Sequence, residues 1–246
     1  MPTRLPDVTA ALDADEDPRL DTDFYRAVPG TGDEHDAILV GVVHDHPASS
    51  HRVRRVAGAL DPDALALELP PLAVPAFERA ATAESPQFDS DEMSAAIAAA
   101  PGSAVVGVDS LGPRFGRYFV QNAVDTGASV RTLRRAAGGV GRIARHAVRC
   151  RLDAAETDDS AAEGVAEGKA ARTPAEQAAD ERTQVARSRS LLGAIERPRA
   201  DRLLDATRED TMADGIARLR RDGTVLGVLG LSHLDTVADA VANGTE

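Results

Sequence analysis

The sequence predicts an α/β fold in which a central, mostly parallel or mixed sheet is flanked by helices. Short apolar runs rich in β-branched residues recur along the chain, each the length of a strand. Segments with helical spacing separate them, as parallel strands require, because each return crossover needs a helix's worth of chain. The runs also stop on ionisable groups. "ILVGVVHDHP", from Ile38 to Pro47, closes on His44, Asp45 and His46, and "VLGVLGLSHLD", from Val225 to Asp235, closes on His233.

Taken in order, residues 1–35 are polar and rich in Asp and Pro, and read as an acidic, flexible N-terminal arm with room for one short helix. "AILVGVV" (Ala37 to Val43) reads as a buried strand. Ser49 or Ser50 caps a helix, "HRVRRVAGAL", with His51 in its first turn and Val53, Val56, Ala57 and Leu60 on one face. "DPD" ends it, since proline cannot continue the hydrogen-bond ladder, and "ALALEL" (Ala64 to Leu69) is the second strand. "EMSAAIAAA" reads as helix, "SAVVGVD" (Ser103 to Asp109) as a third strand, and about Pro113 to Asp125 as helix. A short strand at "ASVRTL" leads into "RTLRRAAGGVGRIARHAVRCR", a helix or helix pair with a cationic face. Residues from about 153 to 183 are heavy in Ala and Glu and read as a low-complexity acidic insertion, disordered or loosely helical. From Leu203 a helix carries Leu204, Met212, Ile216 and Leu219 into the last strand, "TVLGVLG", and the short helix "DTVADAVA" closes a single domain over residues 36–242.

The 246 residues suffice to bury a core, yet aromatics are only 3 % and Trp is absent, so Ala and Val must build much of it. Forty acidic against 28 basic residues give a formal charge of −12, which opposes a nucleic-acid footprint. Lys169 is the only lysine. An acidic, lysine-poor, alanine-rich composition resembles that of proteins from extremely salt-loving archaea, where molar salt screens surface charge within a few ångströms. The lone Cys150 excludes an internal disulfide and a four-cysteine zinc site, and no activating base is specified for it. The first residues lack the apolar core of a secretory signal, and no run approaches eighteen apolar residues. A cytoplasmic protein is the expectation. The cationic stretch could pair with the acidic insertion, touch a membrane or bind nucleic acid; the aromatics of a base-stacking surface are missing from it.

Ligands of open parallel sheets bind beyond the carboxyl ends of the strands. His44 follows the first strand, Glu68 ends the second, Asp109 the third, and His233 follows the last. Parallel strands would raise all four at one edge, where two imidazoles and two carboxylates can hold a divalent ion or act as general acid and base. Gly41 and Gly230, each three before its histidine, permit a tight turn or close approach to a ligand. Each residue also has a plainer role: the histidines as loop hydrogen-bond partners, Glu68 as the end of a buried run, Asp109 as a helix cap. His46 is a further candidate for the same pocket.

These pieces, in this order, resemble the TraB/PrgY family, which is related to the Tiki metalloproteases and to the ChaN and erythromycin-esterase-like proteins. "GVVH" (Gly41 to His44) resembles the first Gly-x-x-His motif, and Ser50 falls near the helix-capping serine. "DPDALALEL" resembles the strand ending in glutamate at Glu68, and "VVGVD" the strand ending in Asp109. "TREDTMADGIARL" resembles the Glu-Arg-Asp-x-x-Met-Ala helix, with Arg208, and "VLGVLGLSHL" the second Gly-x-x-His motif, with His233. The chain departs from the pattern at Val42 and Val43, at Ser110 where an arginine commonly follows the aspartate, and at Thr207 and Glu209. Arg114 is the candidate substitute for that arginine.

The resemblance implies a metal-dependent, peptidase-like hydrolase. His44 and His233 would help hold manganese, zinc or iron, with Glu68 as ligand or general base. Arg208 would orient a carboxylate or stabilise an oxyanion, and Asp109 would orient a ligand or be one. The alternative it implies is a regulatory protein that binds a peptide signal without turnover, and a purely structural polar network is a third reading. A site requires His44, Glu68 and His233 to converge with solvent access.

Overall fold

The computed structural model describes residues 5–82, 91–153, 172–194 and 197–244. Among the described residues, five strands form one mixed sheet: β1 (Tyr25–Val28), β2 (Ala37–Val42), β3 (Ala64–Leu67), β4 (Ala104–Gly107) and β5 (Val225–Gly230). Their spatial order is β1-β2-β5-β3-β4, with β1 antiparallel to β2 and every other pair parallel. The α/β reading therefore holds, and the last strand in sequence is the middle strand in space.

Helices cover both faces of the sheet. On one face α1 (Leu5–Asp13), α2 (Pro47–Leu60) and α4 (Glu92–Ala99) pack against Ile38, Val40, Leu65, Leu67, Leu226 and Val228, with α3 (Val74–Thr82) beside them. On the other, α8 (Arg199–Leu219) and α9 (Leu234–Asn243) pack Met212, Ile216, Val237 and Val241 against Leu39, Ala66 and Leu229. Alternate strand residues thus go to opposite cores, as the two-residue period of a strand requires. Smaller residues, among them Ala37, Ala64 and Ala66, fill the second face, and this lets long helix side chains approach without aromatics. A third cluster joins α5 (Pro113–Asp125) and α6 (Val130–Asp153) to α8 through Phe115, Ala136, Leu203 and Leu204.

Four expectations are corrected. The N-terminal arm is structured where described: Leu5, Val8 and Leu12 lie in the core, and Tyr25–Val28 is the antiparallel edge strand. "ASVRTL" forms no strand, because α6 begins at Val130. Helix α2 starts earlier than Ser49, with Pro47 at its first position and His46 as cap, the His46 Nδ1 accepting from Ala48 N at 3.2 Å. The acidic insertion is helical from Pro174, where α7 (Pro174–Ala194) begins, and it buries Ala178 and Glu181; residues 154–171 of that stretch lie outside the described residues, as does the side chain of Cys150.

Helix α7 has a local cause. Thr173 and Glu176 form a reciprocal capping box: Glu176 accepts from Thr173 N at 2.8 Å, and Thr173 Oγ1 accepts from Glu176 N at 3.3 Å. The helix docks through Glu181, which takes 2.5 and 3.2 Å bonds from Arg52 and a 2.6 Å bond from Ser49 Oγ. Arg52 is fully buried over the Phe24 ring, 4.0 Å from its centroid.

Candidate active site

Strands β2, β3, β4 and β5 run parallel, so their carboxyl ends share one edge, and each ends within three residues of a predicted site residue. His44 sits two residues past β2, in a turn that Asp45 closes with a left-handed φ of 56°. That turn is held from both sides: Val43 N donates to Ser49 Oγ at 2.9 Å and Asp45 N to Glu92 Oε2 at 3.3 Å. His44 Nδ1 donates to the other oxygen of Glu92, a carboxylate almost wholly buried at the start of α4. His233 follows β5, and its Nδ1 donates to Glu209 Oε1 at 2.8 Å. Each imidazole is therefore fixed through Nδ1 by a carboxylate, which leaves Nε2 as the working atom.

Glu68, next after β3, accepts from Gly230 N at 2.6 Å through one oxygen and from Arg208 at 2.6 Å through the other. Arg208 rises from α8 and also donates to Asp109 at 2.9 Å, so one guanidinium ties the ends of β3 and β4 together. His233 Nε2 lies 3.8 Å from Glu68. A Cβ placed on Gly230 would stand 3.2 Å from Glu68 Oε2, 3.6 Å from His44 Nε2 and 3.8 Å from His233 Cδ2. Two rings and a carboxylate close on that point, and glycine keeps it open. Gly41 serves packing instead, since its Cβ would meet Leu231 and Leu234 at 2.7 and 2.9 Å.

His44, Glu68, Arg208 and His233 line one cleft of about 550 Å³. The His44 side chain is 60 % exposed, so solvent reaches the cleft. Asp109 stands behind Arg208 and does not line it; His46 is buried as a helix cap and does not either. Arg114 pairs with Asp214 at 3.4 Å and does not line the cleft.

The charges follow from these contacts. The hydrogen bond that His44 donates to Glu92 raises the His44 pKa against the cost of burial. For His233 burial is the largest influence and lowers the pKa, but the Glu209 bond and the Glu68 charge outweigh it and the net shift is upward. Burial likewise opposes the Arg208 charge, and Asp109 with Glu68 more than restores it.

Two Nε2 atoms suit a borderline divalent ion, and imidazoles tied through Nδ1 to carboxylates are the form that metal ligands take. A catalytic centre needs a third protein donor. Glu68 gives both its oxygens to Arg208 and Gly230, and among the described residues no group of three or more His, Cys, Asp or Glu side chains is placed to hold an ion. The residues as arranged do not fit a three-ligand metal centre.

Sequence reasoning missed Glu92, whose role depends on a turn joining distant segments. It also missed one wall of the cleft, Gln184, Val185, Ser188 and Arg189 of α7. For that wall the "TPAE" capping box was the available signal. Comparison of the chain with protein-family models, curated proteins and solved structures gave no match.

Proposed function

We propose that the protein is a hydrolase of peptide-like substrates that uses His44 and His233 as a general base and general acid. The observation that carries this reading is the pair of carboxylate-oriented imidazoles facing one point above Gly230 in an open cleft. The order of strand-end motifs that resembles the TraB/PrgY family supports the hydrolase class, though not the absence of a metal. His44, the more exposed ring, takes a proton from the attacking water through Nε2. The water oxygen bonds to the substrate carbonyl carbon, the carbon–nitrogen bond breaks, and the departing amine takes a proton from His233. Glu68, 3.8 Å from His233 Nε2, favours the charged ring that this acid role needs. Arg208 and Asp109 are positioning residues: they hold Glu68 in place.

The test is hydrolysis of a panel of short peptides and acyl esters by wild type, His44→Ala and His233→Ala, with circular dichroism to confirm the fold. Loss of a proton-transfer group costs about 10²- to 10⁴-fold in rate, and each variant is expected to lose that much. Peptide binding by wild type without any hydrolysis would replace this reading with a regulatory, peptide-binding one. Metal content of the purified protein tests the metal-dependent form that the resemblance implies. Stoichiometric manganese, zinc or iron, lost in the His44→Ala, His233→Ala double variant, would overturn the metal-free mechanism.

A further inference from the structure

Among the described residues, the cleft's α7 wall contains a cation with no counterion. Residues 184, 185, 188 and 189 follow one another at helical spacing on a single face. They continue the stripe of Gln177, Ala178 and Glu181, which is buried against α2 and the N-terminal segment. The same face of one helix thus anchors the element at one end and lines the cleft at the other. Among the described residues, Arg189 makes no hydrogen bond or ion pair, and neither Gln184 nor Ser188 makes a side-chain hydrogen bond. Arg208, the other arginine of the cleft, is occupied by Glu68 and Asp109.

We propose that Arg189 is the specificity-determining residue of the cleft and that it recognises a substrate carboxylate, such as the free C-terminus of a short peptide. This rests on the reading of the cleft as a peptide hydrolase site. A planar guanidinium pairs with a carboxylate through two parallel bonds, and the Gln184 amide and Ser188 hydroxyl stand on the same face to complete the contact. Among the described residues lining the cleft, Arg189 is the one arginine without a carboxylate partner, which matches a monoanion. A phosphate monoester carries nearly two negative charges, more than the one guanidinium of Arg189 neutralises, since Arg208 is already held by Glu68 and Asp109. The volume of about 550 Å³ suits a ligand of a few residues rather than a folded protein.

The test is calorimetric titration of the full chain, carrying His44→Ala to prevent turnover, with acetyl-alanyl-alanine and with its C-terminal amide. The acid is expected to bind about tenfold tighter than the amide, the value of one charged hydrogen-bonded contact. Arg189→Gln on the same background is expected to erase that preference, and Arg189→Lys to keep part of it. Equal binding of acid and amide, a preference that survives Arg189→Gln, or no binding of either probe would overturn the proposal. The two readings fail separately. An acid preference in a chain whose wild type hydrolyses nothing sinks hydrolysis and leaves Arg189's role standing. Equal hydrolysis and equal binding of acid and amide does the reverse.

Discussion

Arg208 donates to two carboxylates that would otherwise face each other across a mostly buried gap. Glu68 and Asp109 expose 8 and 9 % of their side chains, so water cannot replace the guanidinium. Removing one partner from a buried charge cluster costs about 3 to 5 kcal/mol, because the charges left behind are unpaired. Arg208→Met is therefore expected to lower stability by about 3 kcal/mol in urea unfolding. A loss below about 1 kcal/mol, the usual size for an exposed pair, would show that the cluster is solvated. The histidines act on stability through pH. Both have folded pKa values above the ordinary 6.5, so the folded state binds their protons more tightly than the unfolded chain. Their stabilisation is complete below pH 6.5 and is lost as pH rises through the elevated folded values. A thermal melt series in rising pH should show that decline, and His44→Gln with His233→Gln should flatten it. The identities of these histidines were legible in the sequence because each follows an apolar run. Glu92 was not, since a first-turn acid on a helix ordinarily serves the helix itself.

Helix α7 links the core to the cleft, and its anchor is the buried pair of Arg52 and Glu181. Arg52 also donates to the Arg19 carbonyl at 2.8 Å, so one side chain joins the N-terminal segment, α2 and α7. Glu181→Ala leaves a fully buried guanidinium without its carboxylate, and is expected to destabilise the fold by about 3 kcal/mol. Hydrogen exchange across residues 174–190 should then rise more than exchange in β5. Equal protection in both proteins would mean that α7 docks by packing alone. A neutral swap, Arg52→Met with Glu181→Leu, should recover most of the loss, since well-packed apolar pairs replace buried ion pairs at little cost. The turn before α2 carries a different cost. Asp45 holds a φ of 56°, where a β-branched residue is strained by about 1 to 2 kcal/mol, so Asp45→Val should destabilise by that amount and Asp45→Gly should not. Neither the anchor nor the turn was readable beforehand. Alanine-rich helix and solvated low-complexity chain share a composition, and only the partner across space separates them.

At the scale of the molecule, the parallel sheet was readable because each apolar run sits between helix-patterned segments. The order of its strands was not, since nothing local says that the last strand enters between the first two parallel ones. The four strand-end residues meet only through that order. Whole-molecule charge acts differently from these contacts. A net charge of −12 spreads repulsion over the surface, and that repulsion falls as salt shortens the Debye length from about 30 Å at 0.01 M to about 3 Å at 1 M. The ion pairs that hold the cleft and α7 are largely shielded from solvent and are screened much less. Added salt should therefore relieve the repulsion without loosening the internal pairs, and Tm should rise steeply through the first molar of potassium chloride. A neutral osmolyte at matched osmolality separates screening from general exclusion, because it leaves the Debye length unchanged. If the osmolyte raises Tm as much as the salt does, surface repulsion is not what limits stability. If salt lowers Tm, the internal pairs are more hydrated than their burial implies, and the expected cost of Glu181→Ala falls with them.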